Sequence, residues 1–147
     1  MSGQSRRNPL NEINRLIREN RVADYASPNL ALGMQPIAFS EGKSRWRWGR
    51  QPETVLNPFG TIQGGYLAVF IDEILGTAIA SVLEEGEWAM TAEFKLTFLR
   101  VLTSGCLEGS GSVIRRTRAL AFVEAKICGA AGAVAVAASS TWAVARH

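Results

Sequence analysis

Two hydrophobic rhythms share the chain. From Tyr66 onward, Leu67, Phe70, Ile71, Ile74, Leu75, Ala78, Ile79 and Val82 recur at three- and four-residue spacing, which predicts a helix. A Gly64-Gly65 pair opens it, and Gly86, after Glu84 and Glu85, supplies the stop. Tyr66, Val69 and Ala80 fill its other faces, so it is apolar nearly all round and belongs inside a domain. Two adjacent carboxylates, Asp72 and Glu73, interrupt it, and charge is rarely buried unless paired or used. They also argue against a membrane span, since the run barely reaches spanning length and lacks flanking cationic anchors.

The second rhythm has period two. Arg45-Trp46-Arg47-Trp48 alternates cationic and aromatic faces within residues 37–50, predicting a strand pair or one long bent strand with a core face and a solvated face. After Gly86, Phe94, Leu96 and Phe98 alternate with Glu93, Lys95 and Thr97, and residues 107–116, 120–128 and 133–144 complete a run of four strands. Turn signals at Thr103-Ser104-Gly105, Thr117-Arg118 and 129–132 keep the connections short, which predicts a meander or hairpins. Gly109-Ser110-Gly111 falls inside a strand pattern, where a bulge is expected rather than a nucleotide cradle. Before these, Asn8-Pro9 reads as a cap and first helical position, with Leu10, Ile13, Leu16 and Ile17 on one stripe running to about Asp24. Residues 27–36 and 51–59 read as loops. The sum is an α+β fold in which an antiparallel sheet of about five strands wraps a central buried helix, with an extra N-terminal helix.

At 147 residues, 47% apolar and 20% charged, one domain over 1–147 with a real core is expected. The net charge of +3 is mild, and arginines cluster at Arg45, Arg47, Arg50 and at Arg115, Arg116, Arg118, favouring an anionic small molecule over nucleic acid. Residues 1–20 hold no apolar signal-peptide core, so a cytoplasmic location is expected. Cys106 and Cys128 have no metal-ligand spacing and read as buried, reduced, small apolar residues. The one histidine, His147, is the last residue, which argues against Ser-His-Asp or Cys-His triads and zinc hydrolase centres; no metal and no cofactor are expected. Any chemistry must run on a carboxylate.

At about 100° per residue, Asp72 shares its face with Gly65, Ala68, Val69, Gly76 and Ile79, a face with room for a ligand. The helix start at Gly64-Gly65 offers free N–H groups and the positive end of the dipole, suited to a developing oxyanion. A donor site followed two turns later by a carboxylate suits acyl transfer. The competing account is a tightly packed helix start, with Asp72 bonded to a neighbouring strand or lying at a wet subunit boundary.

The pattern Asn57-x-x-Gly60-x-x-Gln63-Gly64-Gly65, followed by Asp72, resembles the central-helix motif of the hotdog-fold acyl-CoA thioesterases, in particular the phenylacetate-pathway (PaaI-like) and 4-hydroxybenzoyl-CoA thioesterase group. The similarity runs from about residue 32 to 144, including R-R-T-R-A-L-A-F-V-E-A-K and A-S-S-T-W-A-V. It implies a hotdog core over 31–146 with 1–30 as a helical extension, and hydrolysis of an acyl-CoA thioester to acid and CoA. By the same resemblance the Gly64 N–H holds the oxyanion, Asp72 is the nucleophile or the base that activates water, Asn57 binds or orients thiol or water, and Thr91 positions water. Gln63 stands where many members have His. Gly65 with Arg115, Arg116 and Arg118 would bind substrate, the arginines through the CoA phosphates. A homodimer or a tetramer of paired dimers is implied, each site drawing Gly64 and Asp72 from different subunits. A non-catalytic acyl-CoA-binding protein is the alternative, motivated by Gln63. The choice of Asp72 over Glu73 rests on the spacing from Gly64 and on Glu73 pointing about 100° away, toward Tyr66, Phe70 and Thr77.

Overall fold

The computed structural model describes residues 9–147. The first helix, α1 (Pro9–Arg18), turns Ile13 and Leu16 into the core, while the expected cap at Asn8 lies outside the described residues. α1 stops at Arg18, short of Asp24; a separate 3₁₀ turn (Val22–Asp24) follows. A second 3₁₀ helix (Pro28–Leu32) occupies the expected loop, because Ser27 Oγ accepts the Asn29 N–H at 3.2 Å and Pro28 presets the first turn.

Six strands, one more than the pattern suggested, form one antiparallel sheet: β1 (Met34–Ser40), β2 (Lys43–Trp48), β3 (Glu87–Phe98), β4 (Leu107–Arg116), β5 (Leu120–Cys128) and β6 (Val134–Arg146). The extra strand arises because residues 37–50 break into a hairpin at Glu41-Gly42, where Gly42 takes φ +72°. Spatial order is β1-β2-β4-β5-β6-β3, so the meander holds only from β4 to β6. β3 instead pairs with β6 at the far edge, since β2 already occupies the open side of β4. The connection after β3 returns past the start of the central helix. There the Ile62 N–H donates to the Leu102 carbonyl at 2.8 Å, and the buried Gln51 amide exchanges two 2.8 Å hydrogen bonds with the backbone of Gly105.

The central helix α2 (Gly64–Ala80) lies against the inner face of this sheet. Trp46 and Trp48 are buried on the aromatic face of β2; Trp48 packs on Phe70 with ring centroids 5.5 Å apart, and Trp46 Nε1 donates to Thr77 Oγ1 at 2.9 Å. Arg45 and Arg47 face out and meet Glu108, as the alternation demands. The β4 register is unbroken through Gly109-Ser110-Gly111, which corrects the bulge expected there. A side chain at Gly109 would collide with Ile74, and a Cβ at Gly111 would stand 2.9 Å from the Ile74 carbonyl, so these glycines let the helix lie directly on the strand. Cys106 is exposed and Cys128 half-buried, so the first does not fill the core position expected of it. Among the described residues no helix is long and apolar enough to cross a membrane.

Candidate active site

A tight loop delivers the chain into α2. Asn57 Oδ1 accepts the N–H groups of Phe59 (3.0 Å) and Thr61 (3.1 Å), its amide nitrogen donates to Thr61 Oγ1 at 2.6 Å, and Gly60 turns the backbone at φ +76°. Asn57 therefore builds the loop and keeps one amide hydrogen in reserve. Gln63 sits just ahead of the helix in extended backbone; its N–H donates to the Val55 carbonyl and its own carbonyl accepts from Tyr66 and Leu67. Its side chain is exposed and makes no capping bond. The N–H groups of Gly64 and Gly65 have no acceptor among the described residues. A Cβ on Gly65 would meet nothing within 4 Å, whereas one on Gly64 would press on the Phe98 ring at 3.2 Å. A cavity of about 300 Å³ opens here, walled by Gly64, Thr61, Phe98 and Val101.

Asp72 lies on the same helix face about 12 Å further along, at 1.5 Å of rise per residue. The face carrying Gly65, Ala68, Asp72 and Gly76 lies over the β3–β6 edge of the sheet, where a Cβ on Gly76 would stand 3.5 Å from the Trp142 ring; there Asp72 is exposed and not the buried charge that the apolar pattern suggested. Thr91 Oγ1 donates to Asp72 Oδ1 at 3.3 Å. The carboxyl is held above the ordinary carboxylate range because the surrounding pocket wall removes hydrating water, which outweighs the opposing pull of the Thr91 bond. Asp72 opens onto a second cavity of about 530 Å³, walled by Tyr25, Gly76, Trp88, Met90 and Trp142. Sequence reasoning missed Tyr25, Trp88 and Trp142; the last two come to line one cavity through the β3–β6 pairing, which no local pattern reveals.

Asp72 and Thr91 thus form one group, and Gln63, Gly64 and Gly65 with their Asn57 loop form another, in separate cavities of the same chain. β3 connects them, with Thr91 near its middle and Phe98 at its end. The arginines divide. Arg116 is half-buried and bonded to Glu87, while Arg115 and Arg118 are exposed without an ion-pair partner among the described residues.

Residues 59–136, just over half of the chain, match the family described as the Thioesterase superfamily. No curated protein matches the chain in sequence. Among solved structures, a phenylacetic acid degradation-related protein from Ralstonia eutropha JMP134 is 25% identical, with a TM-score of 0.77 over 89% of this chain and 98% of that one. A thioesterase from Haemophilus influenzae is 21% identical (TM-score 0.76, covering 93% and 90%). The PaaI protein from the phenylacetic acid degradation operon of E. coli is 18% identical (TM-score 0.76, covering 94% and 96%). The six-stranded sheet and its long helix are the hotdog arrangement, and the chain belongs to the thioesterase superfamily.

Proposed function

We propose that the protein hydrolyses acyl-CoA thioesters at sites shared between two copies of the chain. The observation that carries this reading is the separation of the two site halves: about 12 Å along one helix is too far for a single carbonyl carbon to meet both the Gly64 N–H and the Asp72 carboxylate. Among the described residues, the outer edge of β3 pairs with no other strand. Met90 (54% exposed), Phe98 (53%) and Val101 (77%) are bared on and just beyond this strand, a surface suited to strand addition. Antiparallel pairing of β3 with β3 of a second copy, about a two-fold axis between Phe94 and Lys95, brings Thr91 of each strand opposite Phe98 of the other. Asp72 of one copy then faces Gly64 of its partner.

In that site the thioester oxygen accepts the Gly64 N–H as it gains charge, an interaction worth about 3 kcal/mol in comparable sites. Asp72 drives the attack on the carbonyl carbon in one of two ways. Either its carboxylate adds to the carbonyl carbon and the C–S bond breaks to expel the CoA thiolate, after which water hydrolyses the anhydride; or it takes the proton of an attacking water, whose oxygen bonds the carbonyl carbon, and returns that proton to the departing thiolate. The Gln63 amide donates to the substrate oxygen without titrating, the Asn57 loop orients thiol or water, and Thr91 holds the carboxylate. Gly65, with open space above it, lets the substrate lie close, and Arg115 and Arg118 take the CoA phosphates while Arg116 stays with Glu87.

Thiol release from a panel of acyl-CoAs tests hydrolysis, and tight binding without turnover would instead assign an acyl-CoA-binding protein. Mixing two inactive variants tests the shared site. Asp72→Asn lacks the carboxylate, and Gly64→Pro lacks the N–H while suiting a first helical position. A hybrid dimer carries one site with both native groups, so activity returns on mixing; no recovery from dimers shown to exchange would place both groups in one subunit's site.

A further inference from the structure

We propose that Glu73 is the anchor that closes the acyl cavity on its outer side and so limits the length of the acyl chain the site accepts. The inference rests on the hydrolase reading for its substrate, but on separate residues for its geometry. The cavity beside Asp72 runs along α2 to its last residue, Ala80, a rise of about 12 Å, and reaches Leu83 just beyond it. It is open where Asp72, Met90 and Thr91 are exposed, and its lining becomes buried toward Ile79 (1% exposed) and Leu83 (5%). That gradient suits a chain entering by its carbonyl end at Asp72 with its apolar tail directed toward Leu83.

One wall does not come from the sheet or from α2. Ile13 and Tyr25 close it from the N-terminal segment, whose described residues contribute no strand before Met34. Tyr25 stands edge-on to Phe39 (centroids 5.7 Å) and Trp46 (6.0 Å). The segment is tied down directly behind Tyr25: Ser27 Oγ and Asn29 Nδ2 both donate to Glu73 Oε1, at 2.6 and 2.5 Å. The same Ser27 oxygen caps the 3₁₀ helix that follows, so one carboxylate oxygen fixes the path of the chain from Tyr25 to Leu32. Charge-assisted bonds of this kind are about twice as strong as neutral ones. Glu73 thus has a positioning role next to the reacting acid: its neighbour Asp72 faces the thioester, while Glu73 holds the wall.

The test reads chain-length preference. kcat/KM and, by calorimetry, Kd are measured for butanoyl-, octanoyl- and dodecanoyl-CoA with native protein, Glu73→Ala, Glu73→Gln and Tyr25→Ala. Glu73→Ala is expected to raise the dodecanoyl-to-octanoyl ratio at least tenfold, and Tyr25→Ala to move it in the same direction. Glu73→Gln keeps an acceptor oxygen at the same reach and should hold the native ratio. A lower melting temperature in Glu73→Ala with an unchanged ratio would reduce Glu73 to a structural tie and overturn the proposal. If no protein turns over but the Kd ratio shifts, the wall stands and hydrolysis falls; turnover with a constant ratio gives the reverse.

Discussion

Glu87 opens β3, and Thr91, the partner of Asp72, lies a few residues further along the same strand, yet the two acids live in opposite surroundings. Glu87 is 5% exposed and accepts the Glu84 N–H at 2.8 Å, the guanidinium of Arg116, and that of Arg146 at 3.1 Å. Burial pushes its pKa up, but these donors together outweigh burial and hold it below the usual range. Asp72 is exposed, has one 3.3 Å hydrogen bond and no salt-bridge partner among the described residues, and its pKa moves the other way. The difference teaches which acid is available. A carboxylate saturated by cations holds the fold together, whereas one left short of partners beside a cavity keeps its basicity for a substrate.

The contrast breaks most visibly at Glu87. Glu87→Ala leaves Arg116, whose Nε already lacks a partner, and Arg146 without their shared counter-ion, and should cost about 3 kcal/mol in urea unfolding. The native pKa lies below the unfolded value of about 4.5, so the stability from this carboxylate is fully present above that pH and drains as pH falls through the folded value. Native protein should therefore lose stability more steeply than the variant on acidification below about pH 4.5. Parallel curves would mean that the network contributes nothing. Turnover per folded molecule should stay close to native.

Asp72→Asn should do the reverse, lowering kcat at least a hundredfold, about 2.7 kcal/mol at 1.36 kcal/mol per decade. Because its folded pKa is raised, the native state holds the proton more tightly than the unfolded chain, so ionised Asp72 weakens the fold as pH rises through that window. The variant should then be no less stable than native protein near neutral pH, with any advantage vanishing in acid. A variant that lost stability together with activity would place Asp72 with Glu87, among the structural acids.

How far the sequence showed this division depended on the range of the contact. α2, its glycine opening and the Trp46/Trp48 face were legible because each is written in consecutive residues. Asp72 was legible as an acid in an apolar helix; its exposure was not, because the face carrying Asp72 and Gly76 lies over the β3–β6 edge of the sheet, a placement that spacing does not encode. Glu87 carried no signal at all, since its cations lie 29 and 59 residues away. The same holds for Glu73, whose partners Ser27 and Asn29 lie 46 and 44 residues back along the chain. The placement of β3 at the edge was hidden for a related reason: the pairing with β6 skips two intervening strands.

The finest test of the comparison is Thr91, the one group that partners Asp72. Its hydroxyl donates to the carboxylate and favours the charged form, so Thr91→Val, which keeps the shape and deletes the donor, should move the Asp72 pKa further upward. The acid limb of kcat/KM should shift to higher pH. At the plateau the rate should fall by about 1 kcal/mol or less, below the usual contribution of a hydrogen bond to a charged group, because the bond is long at 3.3 Å and exposed. Thr91→Ser restores the hydroxyl and should return the limb to its native position. In an Asp72→Asn background the Thr91→Val change should have no further effect on rate, because the proton it tunes is gone. A limb that moved to lower pH in Thr91→Val would mean that another acid governs the rate, and with it the division between the free carboxylate and the saturated one would have to be redrawn.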